Sequence, residues 1–137
     1  MSRTAPPAAA PHDRSPGRAR PGSSTTWRNW AGSVRAAPSA VLTPRSDDEL
    51  AAALAAAAAR GGRVRPVGAG HSFSPVAQPV DAQLRLDHLT GLTEVDRGRS
   101  RVRVRAGTPL HALTRALAEH GLALPNLGDI DRQTVAG

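Results

Sequence analysis

One stretch of the 137-residue chain has residue types and spacing suited to chemistry: Val67-Gly68-Ala69-Gly70-His71-Ser72-Phe73-Ser74-Pro75. Glycines at 68 and 70 allow backbone N–H groups to approach an anion closely, and Ser72 and Ser74 add hydroxyl donors. The pattern is not the dinucleotide fingerprint of a doubly wound sheet. The third glycine is missing, Phe73 stands in its place, and Ser74-Pro75 does not open a helix. It also lacks the Gly-Lys-Ser/Thr of a P-loop. Taken alone, the stretch is either an anion-cradling loop or a plain strand-to-loop corner. His71 sits inside it, and a lone histidine is more often a hydrogen-bonded structural group than a catalytic one.

The other histidines offer less. His111 and His120 fall on a predicted helix, His88 in a loop and His12 near the N-terminus. None has a metal-ligand partner three or four residues away, so no metal site is expected. Arg101, Arg103 and Arg105 form a one-sided basic stripe. It reads either as a phosphate-tracking patch or as the solvent face of a strand, where charge also blocks aggregation. The second reading is favoured, because all 18 cationic residues are Arg, as in a G+C-rich genome, and no aromatics interleave with the stripe.

The elements that must position these residues follow from periodicity and capping. Ser46-Asp47-Asp48-Glu49 is a capping box. Leu50, Ala53, Leu54, Ala57 and Ala58 follow on one helical face, and Gly61-Gly62 stops the helix. A strand over Arg63–Val67, with Val64 inward and Arg63 and Arg65 outward, delivers the chain to the glycine loop. Short strands are predicted at Gln83–Leu86 and Leu92–Asp96. A turn at Asp96–Arg99 leads to a strand over Ser100–Arg105, where Val102 and Val104 alternate with arginines. A second helix is expected with Thr108 as N-cap and Pro109 at its first position, burying Leu110, Leu113 and Leu117 and ending before Gly121.

Composition excludes whole classes of function. There is no cysteine, hence no disulfide framework, Fe–S cluster or zinc–thiolate site. Two Trp and one Phe cannot build a stacking platform for single-stranded nucleic acid. No apolar run approaches the ~18 residues a membrane span needs. The formal charge is +7. Residues 1–26 are Pro-, Ala-, Ser-, Gly- and Arg-rich without periodicity, and are expected to be a disordered tail ahead of an ordered unit over residues 27–137. The tail has neither the apolar stretch of a secretory signal nor a twin-arginine pair, and a cytoplasmic setting is expected, with or without peripheral membrane association.

In order along the chain, four segments together resemble a known family: Asn29-Trp30-Ala31-Gly32; Pro44-Arg45-Ser46 before the capped helix; Gly68-Ala69-Gly70-His71-Ser72-Phe73; and Gly121–Asp129 followed by Gln133-Thr134-Val135-Ala136-Gly137. They are similar to the FAD-linked oxidases with a vanillyl-alcohol-oxidase (PCMH) type flavin domain, in their sugar-lactone and alditol branch. The resemblance covers residues 27–137. It implies an α+β fold, the N-terminal subdomain of that flavin domain, with a small mixed sheet flanked by two helices.

The resemblance further implies FAD as cofactor, bound through Val67, Gly68, Ala69, Gly70, His71, Ser72 and Phe73, with Asp129, Thr134 and Gly137 continuing the contact. His71 matches the histidine that bonds covalently to the 8α-methyl of the flavin. Asp129 stands where alditol-oxidising relatives carry Ser, and this leans toward a lactone. The implied activity is oxidation of the CH–OH group of a sugar 1,4-lactone of the gulonolactone or arabinonolactone type, or of an alditol, with oxygen or an electron carrier as acceptor. The match stops at Gly137, short of the family's proton-abstracting base and substrate residues. No catalytic residue is therefore assigned, and the chain is read as an N-terminal portion that is inactive and holds FAD poorly by itself. The rival from another class is an Arg-rich nucleic-acid-binding module, which would show a steep salt dependence.

Overall fold

The computed structural model describes residues 26–137. The expected tail therefore lies, but for Thr26, outside the described residues. Nine regular elements follow: β1 (Trp27–Arg28), β2 (Arg35–Ala36), β3 (Ala40–Leu42), α1 (Asp47–Ala59), β4 (Val64–Val67), β5 (Ala82–Arg85), β6 (Leu92–Asp96), β7 (Arg101–Val104) and α2 (Leu110–Glu119), with a 3-10 turn at Pro75–Ala77. Among the described residues the strands divide into three small sheets: an antiparallel pair β1–β2, a parallel sheet in the order β3–β5–β4, and an antiparallel hairpin β6–β7. The fold is thus α+β, with parallel and antiparallel pairing both present. β1, β2 and β3 were not expected from the sequence. Strands of two or three residues are too short to show a period of two.

The parallel sheet carries the glycine loop. α1 links β3 to β4, and β5 returns between them, with Ala82, Gln83 and Leu84 all buried. Asp81 pins the start of this sheet. Its carbonyl accepts from Ser39 N at 2.7 Å and Ser39 Oγ at 2.8 Å, and its carboxylate accepts from Arg63 N at 2.8 Å. The residues just before β3 and β4 are thereby held to the residue just before β5. Burial on β4 departs from the expected alternation: Val67 is buried while Val64 is only half-buried. Val67 shares its face with Arg65, so the strand end that enters the loop is buried by its place in the sheet.

Both helices stop by the same mechanism. After α1, Gly61 takes φ +64°, with Gly61 N bonded to Ala58 O and Gly62 N to Ala57 O. After α2, Gly121 takes φ +69°, with Gly121 N bonded to Ala118 O and Leu122 N to Leu117 O. These are paired Schellman bonds around a left-handed glycine. At the N-terminus of α1, Ser46 Oγ accepts from Glu49 N at 3.1 Å as expected, but Glu49 Oε2 accepts from Arg45 N, one residue before the cap. The buried row of α1 is narrower than its apolar face. Ala57 is buried, Leu50 and Ala53 are half-buried, and Leu54 and Ala58 are exposed. A helix whose side chains are mostly single methyls has little area to bring into contact.

α2 begins differently from the expectation. Thr108 is buried and does not cap it. Its Oγ1 accepts from Gly91 N at 2.9 Å and donates to Arg105 O at 2.6 Å, while Pro109 takes the N-cap position without a side-chain bond. The free N–H groups of the first turn are instead satisfied by the C-terminal segment: Leu110 N bonds Gln133 O at 2.8 Å and His111 N bonds Asp131 O at 3.1 Å. The same segment continues through Val135 N to Thr108 O and Ala136 N to Ala106 O. Leu113 and Leu117 of α2 enter the core with Leu84, Leu89, Val67, Ala82 and Ala57.

Candidate functional site

The glycine loop leaves β4 at Gly68 and meets two other segments. The first is the loop after β1. Asn29 is 2% exposed; its Nδ2 donates to Ser72 O at 2.9 Å and to Ser33 Oγ at 3.0 Å, and its Oδ1 accepts from Val34 N at 3.0 Å. Trp30 N donates to Gly70 O at 2.8 Å. Two neighbouring residues thus hold the carbonyls on either side of His71. The second segment is the C-terminal turn. Gly137 O accepts from Ala69 N at 2.9 Å and from Thr134 Oγ1 at 3.1 Å.

Each glycine acquires a distinct reason from this geometry. A Cβ on Gly68 would lie 1.6 Å from Gly137 O and 2.6 Å from Thr134 Oγ1, a collision no rotamer relieves. The missing side chain at 68 therefore admits another backbone. Gly70 has φ +71°, and a Cβ there would meet nothing closer than Trp27 at 3.7 Å. Its requirement is conformational, the left-handed residue on which N–H concavities are built.

Between the loop and the C-terminal turn lies a cavity of about 220 Å³, lined by Arg65, Pro66, Gly68, Gly70, His71, Ser72, Val76, Ala77, Ala136 and Gly137. The N–H groups of Gly70, His71 and Ser72 have no hydrogen-bond partner among the described residues. Three consecutive unspent donors, a left-handed glycine and the Arg65 cation beside them suit a phosphate-bearing ligand. The volume is below the several hundred Å³ usual for a whole cofactor, so the cavity has room for part of such a molecule rather than all of it.

The expected site residues do not all converge. Gly68, Gly70, His71, Ser72 and Gly137 line the cavity. Val67 is buried and is not part of the lining. Ala69 adjoins it, but its N–H is already bonded to Gly137 and is not free for a ligand. Thr134 supports the wall by bonding the Gly137 carbonyl. Phe73 is 72% exposed and packs edge-on against Trp30, with ring centroids 6.5 Å apart. Asp129 is exposed in the loop after α2 and does not reach the cavity lining. Sequence reasoning missed Arg65, Pro66, Val76, Ala77 and Ala136 as lining, and Asn29 and Trp30 as holders of the loop. Asn29 had a signal: a short amide ahead of a glycine turn is a common cross-linker of backbone loops. Among the described residues no cluster of His, Asp and Glu is placed to hold a metal ion.

Two of the three arginines of the stripe, Arg103 and Arg105, are paired within the protein, as is Arg99 beside them. Arg103 pairs with Glu94 at 3.1 Å, and Arg99 with Asp96 at 3.7 Å. Arg105 departs from the solvent-face reading: it is half-buried and bidentate to Asp47 in the first turn of α1, at 2.8 and 3.2 Å. The strand ends at Val104, so the Arg105 side chain is no longer bound to the outward face. A second depression of about 310 Å³ lies over this hairpin, lined by Glu94, Asp96, Arg99, Arg101, Val102 and Arg103.

Comparison with known proteins gives the loop its context. The chain is 42% identical over 114 residues to L-gulono-1,4-lactone dehydrogenase of Mycobacterium tuberculosis, covering 83% of this chain and 27% of that one. It is 40% identical to D-arabinono-1,4-lactone oxidase of Eremothecium gossypii (81% and 22% covered) and 39% identical to alditol oxidase of a Streptomyces species (83% and 27% covered). The chain thus spans about a quarter of the length of these relatives. Among solved structures, cholesterol oxidase from B. sterolicum superposes with a TM-score of 0.70 at 22% identity, covering 82% of this chain and 22% of that one, which establishes the likeness of fold. Residues 38–137, from the strand before α1 to the wall of the cavity, match the model of the FAD binding domain, and the chain belongs to that family.

Proposed function

We propose that the glycine loop receives the diphosphate of FAD, that His71 carries the flavin covalently, and that the whole protein oxidises the CH–OH group of a sugar 1,4-lactone. The observation that carries this reading is the set of N–H groups at Gly70, His71 and Ser72, without partners among the described residues, around a cavity walled by Gly137. Backbone donors fixed before the ligand arrives need no reorganisation to meet two phosphate charges. Asn29 and Trp30 hold the loop carbonyls, so the loop is shaped before binding. A neutral His71 imidazole has a nitrogen lone pair able to attack carbon. Bound FAD would supply the two-electron acceptor. The residues of this chain bind and orient it, and the electrons pass on to oxygen or to a carrier.

The lactone reading rests on the dehydrogenase and the oxidase at 42% and 40% identity, and the alditol oxidase at 39% supports a polyol as the second reading. The test uses the full-length protein. Flavin absorbance should stay with the acid-precipitated wild type and wash out of His71→Ala. Flavin that washes out of the wild type, or persists on His71→Ala, refutes the attachment. Turnover of L-gulono- or D-arabinono-1,4-lactone above that of alditols supports the lactone reading, and the reverse order supports the polyol.

A further inference from the structure

Trp30 is a large aromatic side chain left 67% exposed, and exposure of that size calls for a reason. Its indole stacks on the His71 imidazole with centroids 5.5 Å apart and planes inclined by 26°. Phe73 closes on the same indole from the edge, at 88°. The backbone of Trp30 is fixed to the loop it stacks upon, through Trp30 N to Gly70 O, and Asn29 beside it is fixed to Ser72 O. His71 is therefore gripped at both flanking carbonyls and across one ring face. Among the described residues no other aromatic ring stacks on His71.

We propose that Trp30 is a positioning residue for His71: its indole holds the imidazole in the orientation from which a ring nitrogen bonds the flavin. This rests on the covalent reading above. A half-exposed histidine in a glycine loop would otherwise sample several rotamers, and confinement to a near-attack geometry is a rate effect. In the step served, the 8α-methyl carbon loses a proton and bonds the His71 nitrogen, and the imidazole sheds its own proton. The electron pair left behind would reduce the flavin ring, and dioxygen would then take that pair together with the two released protons and leave as hydrogen peroxide. Trp30 forms and breaks no bond in this step. It restricts one of the reacting groups.

Two measurements on the full-length protein test this. In the FAD-free protein carrying ¹³C-labelled histidine, the His71 Cε1–H signal, assigned with His71→Gln, should lie upfield in the wild type through the indole ring current. It should move to the position of an unstacked histidine in Trp30→Ala and stay mostly upfield in Trp30→Phe. After FAD is added, acid-stable flavin should form about tenfold more slowly in Trp30→Ala than in the wild type, with Trp30→Phe largely restoring the rate and total bound FAD little changed. An unshifted His71 signal in the wild type, or acid-stable flavin at the wild-type rate in Trp30→Ala, overturns the proposal and leaves the attachment reading intact. A wild type that binds FAD but never makes it acid-stable overturns both, whatever the ring-current result.

Discussion

The glycine loop and the β6–β7 hairpin are both exposed, polar and bordered by a depression, yet they use their polar groups in opposite ways. On the hairpin the charges answer one another: Arg103 with Glu94, Arg99 with Asp96, and Arg105 with Asp47 across to α1. Its depression is the larger of the two, about 310 against 220 Å³. In the glycine loop the carbonyls of residues 70 and 72 are bonded, while the N–H groups of residues 70 to 72 have no partner among the described residues. Size and charge therefore point to the hairpin. Donors held in place without partners point to the glycine loop, on which the proposed function rests, because a ligand gains most where the protein has already been organised and has not satisfied itself.

Substitutions at the two loop glycines should separate the loop's two requirements, and the largest effect is expected at Gly68. Gly68→Ala drives a methyl into Gly137 O and should push residues 134–137 off the loop. Overpacking of this kind costs about 1–3 kcal/mol. FAD binding should fall with it, since a cavity wall moves. Gly70→Ala meets no neighbour closer than 3.7 Å and carries only the left-handed strain, about 1 kcal/mol. Thermal unfolding and FAD titration of both variants in the full-length protein check the order. Equal losses would mean that the Gly68–Gly137 contact does not shape the site.

Asn29→Ala removes three hydrogen bonds from a residue 2% exposed and leaves Ser72 O and Val34 N to find other partners. A loss of about 1–3 kcal/mol in chemical denaturation is expected, together with weaker FAD binding. A stability loss with unchanged FAD affinity would reduce Asn29 to a scaffold residue.

The hairpin should prove nearly silent. Arg101→Gln with Arg103→Gln should change stability by no more than about 0.5 kcal/mol each and leave FAD binding alone. Arg105→Gln breaks the bidentate pair to Asp47 and should cost slightly more, up to about 1 kcal/mol. Loss of FAD affinity in any of the three would place part of the site on the hairpin and undo the contrast.

The smallest effect concerns pH. The Arg63 backbone N–H holds the Asp81 carboxyl below its ordinary value of 3.8, with burial opposing and the Arg63 side chain adding to the shift. A depressed carboxyl stabilises the fold above its unfolded value and loses that contribution as pH falls through the folded one. Unfolding measured below about pH 4 should therefore show a loss with acid that Asp81→Asn lacks, while FAD affinity near neutrality stays the same.

Some of the molecule follows from local chemistry and was legible in the chain. Ser46 and Glu49 mark the start of α1, and Gly61 and Gly121 end the helices where a left-handed residue is needed. Leu113 and Leu117 mark the inner face of α2, where Leu110, also expected there, is only half-buried, and alternation marks β7. Each of these rests on contacts within about four residues, so spacing alone encodes it. The site loop was legible as glycine loop plus histidine, and its family from four segments in order.

Tertiary structure alone decided the rest. Nothing near Thr108 predicts that its hydroxyl turns to Gly91 and Arg105 while carbonyls at 131 and 133 close the helix start. Nothing near Gly68 predicts that the carbonyl it makes room for lies 69 residues on, or that it leaves Ala69 N–H with no bond to offer. Arg105 gives no local sign of Asp47, 58 residues away. Asn29 and Trp30 give none of residues 70 to 72. These are long-range pairings of backbone and polar groups. They carry no periodicity, because their partners are set by where strands and loops meet in space and not by distance along the chain.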